Sequence, residues 1–132
     1  MTHVSEENIL DIIKSLPNKG SGPASIPLKL LKLVSDIIVF PLCCIINVSF
    51  TTGVFPDVLK VAKVIARHKG GPSDDLNNYR PISLLSIFDK IIEKLMHKSL
   101  YEFLDDHDIL FINQFGFRKL SSTIHAILDI TE

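Results

Sequence analysis

One stretch of the chain, residues 61–85, constrains the fold more than any other, because a polar loop divides it into two extended runs. The first run alternates an apolar face with a face that carries Lys63 and Arg67, a period typical of a β-strand with one side on a core. Glycine, proline and asparagine then crowd residues 70–78 and favour turns. Pro81 in the second run cannot donate to a ladder, which indicates a sheet edge or a short ribbon. We therefore predict a β-hairpin with a long tip.

The predicted hairpin concentrates positive charge in a chain whose formal net charge is only −1. Its four cations are Lys63, Arg67, Lys69 and Arg80. A guanidinium presents a planar fork to two phosphate oxygens, and an ammonium supplies a compact charge, so this hairpin suits a polyanionic ligand. Composition alone leaves a solvated edge as the alternative, since the bulk charge does not indicate a nucleic-acid binder.

Most of the remaining chain is predicted to be helical. With 132 residues, of which 46% are hydrophobic, the chain is long enough for one compact domain. Apolar residues at helical spacing predict helices between Ser5 and Pro17, from Leu28, over 36–52, over 87–104, and after Ser121 or Ser122. Residues 18–27, rich in glycine, proline and serine, are predicted to form a loop.

Two adjacent cysteines, Cys43 and Cys44, lie in the apolar run 37–50. Neighbouring cysteines rarely reach disulfide geometry and cannot build a four-ligand zinc site alone, so two reduced, buried thiols in an intracellular protein are predicted. The run continues to Pro56 without a charge, but its second half is too polar for hydrocarbon. We expect a buried helix here and no membrane partner.

Several motifs together resemble a known family. They are AKVIARHKGG at 62–71, NNYRPISLLS at 77–86, KIIEKL at 90–95 and NQFGFRKLSSTIHAIL at 113–128. This set is similar to the amino-terminal part of the reverse transcriptase of LINE-like (jockey-type) non-LTR retrotransposons. The similarity extends to the NKGSGPASIPLKLL and NVSFTTGVFPDVLK stretches, so it covers nearly the whole chain.

The resemblance implies an α+β fold: the mostly helical fingers part of a right-hand polymerase, with a β-hairpin that closes over the incoming nucleotide. Residues 1–132 would form a partial reverse transcriptase domain, an incomplete domain that lacks the palm and its catalytic aspartates. Lys69 and Arg80 resemble the fingers residues that grip the nucleotide triphosphate. The complete enzyme would use RNA template, DNA primer, deoxynucleotide triphosphates and Mg²⁺, whereas this fragment is expected to hold no cofactor and to be inactive alone.

Further template contacts are assigned to Phe117, Arg118, Lys63 and Arg67. Phe117 and Arg118 could stack on or pair with a templating strand, while Lys63 and Arg67 could contact its backbone. The alternative for the QFGFR motif is that both phenylalanines are core and that Arg118 caps a neighbouring helix.

The sequence FLDD at 103–106 mimics the aromatic-x-Asp-Asp of a polymerase metal hairpin. Two adjacent carboxylates can share divalent ions. However, Asp105 and Asp106 terminate an amphipathic helix, and no carboxylate in an apolar strand precedes them. We therefore assign no catalytic and no metal-binding residue to the chain.

Two other classes of function stay open. The chain could be a non-catalytic helical module that binds RNA or a protein, or a non-functional remnant of a decayed element. RNA affinity that falls steeply with salt would favour phosphate contacts, and flat salt dependence would favour a protein partner.

Overall fold

The computed structural model describes residues 3–17, 26–111, 114–118 and 120–131 and has the predicted α+β fold, mostly helical with one β-hairpin. The elements are α1 (Glu6–Ser15), α2 (Leu28–Leu33), α3 (Ser35–Thr52), β1 (Lys63–His68), β2 (Tyr79–Leu84), α4 (Ile87–Asp106) and α5 (Thr123–Thr131). Short 3-10 turns, Asp57–Leu59 and Leu76–Asn78, precede the two strands. Residues 18–25 of the predicted loop lie outside the described residues. The chain divides into two compact units, residues 1–98 and 99–132.

The core of the first unit is built from the apolar stripes of α1, α2, α3 and the start of α4. Its fully buried aliphatic side chains are Ile9, Ile13, Leu31, Ile46, Ile91 and Ile92. Each such side chain contributes about 1.5–3 kcal/mol relative to its exposed state. Their burial therefore stabilises the association of these helices.

Both ends of α1 have their free backbone groups satisfied by side chains. Ser5 Oγ accepts from the backbone N–H of Asn8, and Asn8 Oδ1 accepts from the Ser5 N–H in return, a capping box. At the other end, Lys32 Nζ donates to the carbonyls of Lys14 at 2.9 Å and Leu16 at 3.0 Å. A cation at a helix C-terminus also opposes the helix dipole, so α2 is fixed to the end of α1 by one side chain.

Helix α3 buries one stripe and exposes the other, which corrects the expectation of a buried helix. The buried residues are Ser35, Val39, Leu42, Cys43, Ile46 and Ser49. Ile37, Phe40 and Val48 on the opposite side are largely exposed. Within the described residues, α3 is the one helix that is long enough and apolar enough to cross a membrane, judged by length and composition alone. Core helices of soluble proteins pass the same test. An apolar run predicts burial of one helix face but cannot show that a second face is covered.

The segment before α1 is held to α3 by the side chain of Asn47. Its Oδ1 accepts from the Val4 N–H at 2.9 Å, and its Nδ2 donates to the Val4 carbonyl at 2.9 Å. The same Nδ2 lies 3.0 Å from the Cys43 carbonyl. Val4 is buried, so its backbone N–H and C=O cannot bind water, and it has no neighbouring strand to pair with. The side chain of Asn47 supplies the hydrogen bonds instead.

The neighbouring thiols differ, and the prediction that both are buried is wrong for Cys44. Cys43 is buried, with its Sγ donating to the Val4 carbonyl at 3.2 Å, whereas Cys44 is exposed. Successive residues on a helix point about 100° apart, and Cys44 falls outside the buried stripe that contains Leu42 and Cys43. Burial, with the negative charges of Glu6 and of Cys44 as thiolate, raises the pKa of Cys43 above its usual value, although a hydrogen bond from Asn47 opposes this shift.

Helix α4 begins with a second capping box that the sequence analysis missed. The Ser86 N–H donates to Asp89 Oδ2 at 3.0 Å, and Ser86 Oγ accepts from the Asp89 N–H at 3.2 Å. Although it is a charged residue, Asp89 is 2% exposed, and its Oδ1 has no hydrogen-bond partner among the described residues. Its position in the first turn explains the burial, because the cap brings the side chain back over the helix end.

The second unit contains the end of α4, a connecting segment and α5. Ser122 caps α5, as predicted, through a 3.4 Å hydrogen bond from the His125 N–H to its Oγ. Among the described residues of this unit none is fully buried, and Ile124 and Ile130 of α5 are exposed.

We predict that Asn47→Ala lowers the free energy of unfolding by about 1–3 kcal/mol, because it leaves the buried N–H of Val4 unpaired and leaves the Val4 carbonyl with only the weak thiol donor of Cys43. Urea denaturation measures this loss. Thr51→Ala is the matched control, since it removes a hydrogen bond to the Asn47 carbonyl from an exposed side chain of the same helix. Equal stability of the two variants would show that the hydrogen bonds from Asn47 to Val4 do not stabilise the fold.

We also predict that a thiol-alkylating reagent modifies the native chain rapidly at Cys44 and slowly at Cys43. Cys44→Ser should remove the fast phase, and Cys43→Ser should retain it. The raised pKa of Cys43 fixes the sign of a pH effect: the stability gained from its neutral thiol is complete below the unfolded pKa and is lost as pH rises through the folded pKa. Fast modification of both cysteines in the folded chain would contradict this description.

Candidate phosphate-binding hairpin

The antiparallel register of the ribbon places all four of its cations on one face. Lys63 lies opposite Leu84, Arg67 opposite Arg80, and His68 opposite Tyr79. Directly opposed residues share a face and the faces alternate along each strand. The cationic face therefore contains Lys63, Ile65, Arg67, Arg80, Ile82 and Leu84, and Lys69 continues it. The opposite face contains Val64, Ala66, His68, Tyr79, Pro81 and Ser83.

Neither face of β1 packs on a core, which corrects the expectation that its apolar side would do so. All six residues of β1 are exposed, and Val64 on the apolar face is 61% exposed. Alternation in a sequence predicts two chemically distinct faces, but it does not show that a further layer covers either of them. In the described residues the two strands form a two-stranded sheet of their own.

An open cleft of about 390 Å³ lies at the tip end of the cationic face. It is lined by Arg67, His68, Lys69, Arg80 and Ile82. The structure thus brings together Lys69 and Arg80, the two residues assigned to the nucleotide, and adds Arg67, which was assigned to the template. The ammonium of Lys69 is oriented by a 3.1 Å hydrogen bond to the Asn77 carbonyl.

The guanidinium groups of Arg67 and Arg80 have no hydrogen-bond or ion-pair partner in the part of the chain that the structure describes. This differs from Lys60, just before the ribbon, whose Nζ lies 2.6 Å from Asp57 Oδ1. A cationic cleft without internal acids retains its full attraction for an anion.

Pro81 is compatible with the ribbon because of the register. The Lys69 N–H donates to the Asn78 carbonyl at 2.7 Å, so the alternating pattern makes Arg67 and Arg80 a hydrogen-bonded pair. Pro81, one residue further, lies opposite Ala66 in a non-bonded pair, where the backbone nitrogen points away from the partner strand. Its missing N–H costs no ladder bond, and the prediction of a short ribbon is confirmed.

The loop between the strands is held by its own side chains. Asn78 Nδ2 donates to the Pro72 carbonyl at 2.8 Å, and the Tyr79 hydroxyl donates to the Ser73 carbonyl at 2.9 Å. Asp75 Oδ1 accepts from the Asn77 N–H at 2.9 Å and caps the 3-10 turn. A loop fixed in this way holds the cleft open without help from a core.

Gly71 fits this loop for steric as well as conformational reasons. Its φ of +87° lies in the left-handed region, and a Cβ would stand 2.9 Å from Asn78 Nδ2. Gly70 has a φ of +121°, but no atom lies within 4 Å of its Cβ position. Asn78 is already committed to Pro72, so it cannot move away freely.

The QFGFR motif lies in the second unit, where its two candidate residues have different environments. Phe117 is fully exposed and has a φ of 62°, so it is not a core residue. Arg118 Nη1 donates to the Phe111 carbonyl at 3.2 Å, and its Nη2 lies 3.9 Å from Asp105 Oδ1 at the end of α4. Arg118 therefore lies against a side chain in the last turn of α4, but neither contact is to a helix carbonyl.

The acidic pair Asp105 and Asp106 lies in the last turn of α4 and not between strands. Asp105 faces Arg118, as described above. Among the described residues no group of three or more histidine, cysteine, aspartate or glutamate side chains could hold a metal ion.

Sequence reasoning missed two cross-strand pairs of the hairpin. The rings of His68 and Tyr79 form a tilted pair with centroids 5.1 Å apart, directly across the strands. Arg67 was recognised as a cation but not as the neighbour of Arg80. Counting inward from the turn would reveal both pairs only if the register were already known.

Comparison with known proteins confirms the resemblance. The chain is 35% identical over 128 residues to the probable RNA-directed DNA polymerase from transposon BS of Drosophila melanogaster, covering 96% of this chain and 14% of that protein. It is 32% identical over 134 residues to the RNA-directed DNA polymerase from mobile element jockey of the same species, covering 98% of this chain and 15% of that protein. The chain therefore spans about one-seventh of the length of these curated relatives. No protein-family model matches it.

We predict that Gly71→Ala loosens the tip of the hairpin more than Gly70→Ala does. Both variants strain the left-handed backbone, but only Gly71→Ala forces Asn78 away from Pro72. The loss of one hydrogen bond corresponds to roughly 1 kcal/mol, or about a fivefold faster exchange of the Lys69 amide hydrogen. Hydrogen exchange followed by NMR measures this rate. Equal acceleration in the two variants would mean that Asn78 does not hold the loop.

Proposed function

We propose that this chain, which is homologous over nearly its whole length to a segment of the RNA-directed DNA polymerases of jockey-type mobile elements, is the fingers portion of such a polymerase. The observation that carries the proposal is the cleft in which Lys69 and Arg80 lie together. Their charges would hold the triphosphate of an incoming deoxynucleotide. In the longer polymerase this ribbon would contribute nucleotide contacts while other parts supply the chemistry.

The chemistry of the cationic face supports a phosphate ligand over an acidic peptide. Arg80 offers a planar fork that matches two oxygens of one phosphate, and Lys69 adds a compact charge whose direction is fixed by the Asn77 carbonyl. The cleft is open to solvent, which suits a ligand that enters and leaves in each catalytic cycle. Charge-assisted hydrogen bonds of this kind contribute about 1.5–3 kcal/mol each.

Contacts to the template are a second part of the proposal. Phe117 is fully exposed, so its ring is available to stack on an unpaired base. Lys63, further along the cationic face, would contact a template phosphate. Arg118 lies against Asp105, so it would have to leave that carboxylate in order to contact the template.

Phosphoryl transfer would depend on residues outside this segment. The complete polymerase would use Mg²⁺ held by palm carboxylates, which stabilises the charge that develops on the transferring phosphate. The residues described here do not fit that metal, because Asp105 and Asp106 end a helix and no third ligand joins them. The chain would therefore bind nucleotide and template without polymerising.

We predict that Arg80→Gln and Lys69→Gln each weaken binding of a deoxynucleotide triphosphate to the 132-residue chain by roughly tenfold or more, since each removes a charge-assisted contact. Titration followed by isothermal calorimetry measures the affinity. Lys60→Gln is the matched control, because that side chain is exposed and already paired with Asp57.

An affinity that is unchanged in both Arg80→Gln and Lys69→Gln would remove the hairpin from the nucleotide site. A second measurement uses the homologous transposon BS polymerase, with this chain exchanged for its matching segment. In that chimera Arg80→Gln should lower kcat/KM for nucleotide about ten- to a hundredfold.

A further inference from the structure

The most unusual electrostatic feature of the ribbon is that Arg67 and Arg80 are directly opposite one another. Like charges in this position destabilise a strand pair. Both side chains are exposed and line the same cleft, and within the described residues neither is neutralised by an acid. The repulsion therefore has no compensation within the hairpin itself.

The distances involved suit a ligand with more than one phosphate. The α-carbons of a hydrogen-bonded antiparallel pair are about 5.5 Å apart, so two guanidinium forks leave the same face side by side. Lys69 continues this face two residues beyond Arg67. In the other direction the next pair on the face is apolar, Ile65 and Ile82, which confines the charge cluster to the tip end of the ribbon.

A two-stranded hairpin without a third strand or a covering helix is only marginally stable in water. An unneutralised arginine pair lowers its stability further. A bound polyanion would remove the repulsion and add hydrogen bonds to both guanidiniums, so binding and hairpin stability are coupled.

We propose that Arg67 is a further phosphate-binding residue, which acts with Arg80 as a cross-strand pair of forks on adjacent phosphates of one linear polyphosphate. This inference rests on the proposed function, because it concerns the same cleft. It changes the ligand assigned to Arg67 from the template to the nucleotide. It also defines the ligand class: two guanidiniums and the Lys69 ammonium select a chain of phosphates over a single orthophosphate.

The test uses inorganic tripolyphosphate and orthophosphate as probes on the 132-residue chain. Arg67→Gln should weaken tripolyphosphate binding about tenfold, comparable to Arg80→Gln. Lys60→Gln is the control, since it removes one positive charge just before the ribbon from an exposed side chain that is already paired with Asp57; its effect should not exceed about twofold. Orthophosphate should bind the wild-type chain at least about tenfold more weakly than tripolyphosphate does.

Hydrogen exchange of the ribbon amides gives a second readout that a structural role of Arg67 would not reproduce. Without ligand, Arg67→Gln should leave the exchange rates unchanged or make them slower, because it removes the repulsion. Adding tripolyphosphate should slow exchange in the wild-type chain and have little effect in the variant.

The possible failures are distinguishable. If Arg80→Gln and Lys69→Gln lose affinity while Arg67→Gln behaves like Lys60→Gln, the inference about Arg67 is overturned and the proposed nucleotide site stands. If none of these variants changes the affinity, both are overturned. Faster exchange in ligand-free Arg67→Gln would show that Arg67 supports the hairpin structurally, and the inference would again be overturned.

Discussion

The register between β1 and β2 is the constraint on which the candidate site depends. It pairs odd-numbered residues of β1 with even-numbered residues of β2, so Arg80 joins Arg67 on one face. A shift of one residue would turn Arg80 to the opposite face and divide the charge cluster. The bonds of Asn78 and Tyr79 to the loop carbonyls fix the length of the tip, and that length sets the register. The chemistry of the site is thus determined by side chains that carry no charge.

The ribbon is joined to the helical core at the end opposite its loop, and the core does not cover β1. After β2 the chain enters α4 within three residues, where the capping box of Ser86 and Asp89 begins a helix whose first turns are buried. In the core, two side chains form hydrogen bonds with backbone groups that have no partner in a helix or strand. Asn47 bonds to Val4, and Lys32 bonds to the end of α1. Rigidity at the base and exposure at the tip are compatible with a ribbon that closes on a ligand.

The sequence predicted the elements well because their signals are local. Period 3.6 located the helices, Ser5 marked the start of α1, and the turn-forming residues divided the hairpin. What it could not predict depends on contacts between distant residues. Exposure of Cys44 and exposure of both faces of β1 follow from which elements meet, and a one-dimensional period does not contain that information. The pairing of Arg67 with Arg80 could be predicted only from the register of the two strands, and the number of turn residues does not determine that register.

The two arginines carried by the family motifs, Arg80 and Arg118, show why the internal partner of a cation matters. Arg118 lies against Asp105 and the Phe111 carbonyl, so a ligand phosphate would have to replace contacts already made. Arg80 has no such partner among the described residues and faces a second guanidinium, so a phosphate would relieve an unfavourable interaction as well as add a favourable one. Motif similarity marks both residues equally, but the free energy available for binding an anion differs. It is this difference that makes the hairpin, and not the QFGFR motif, the stronger candidate for the phosphate site.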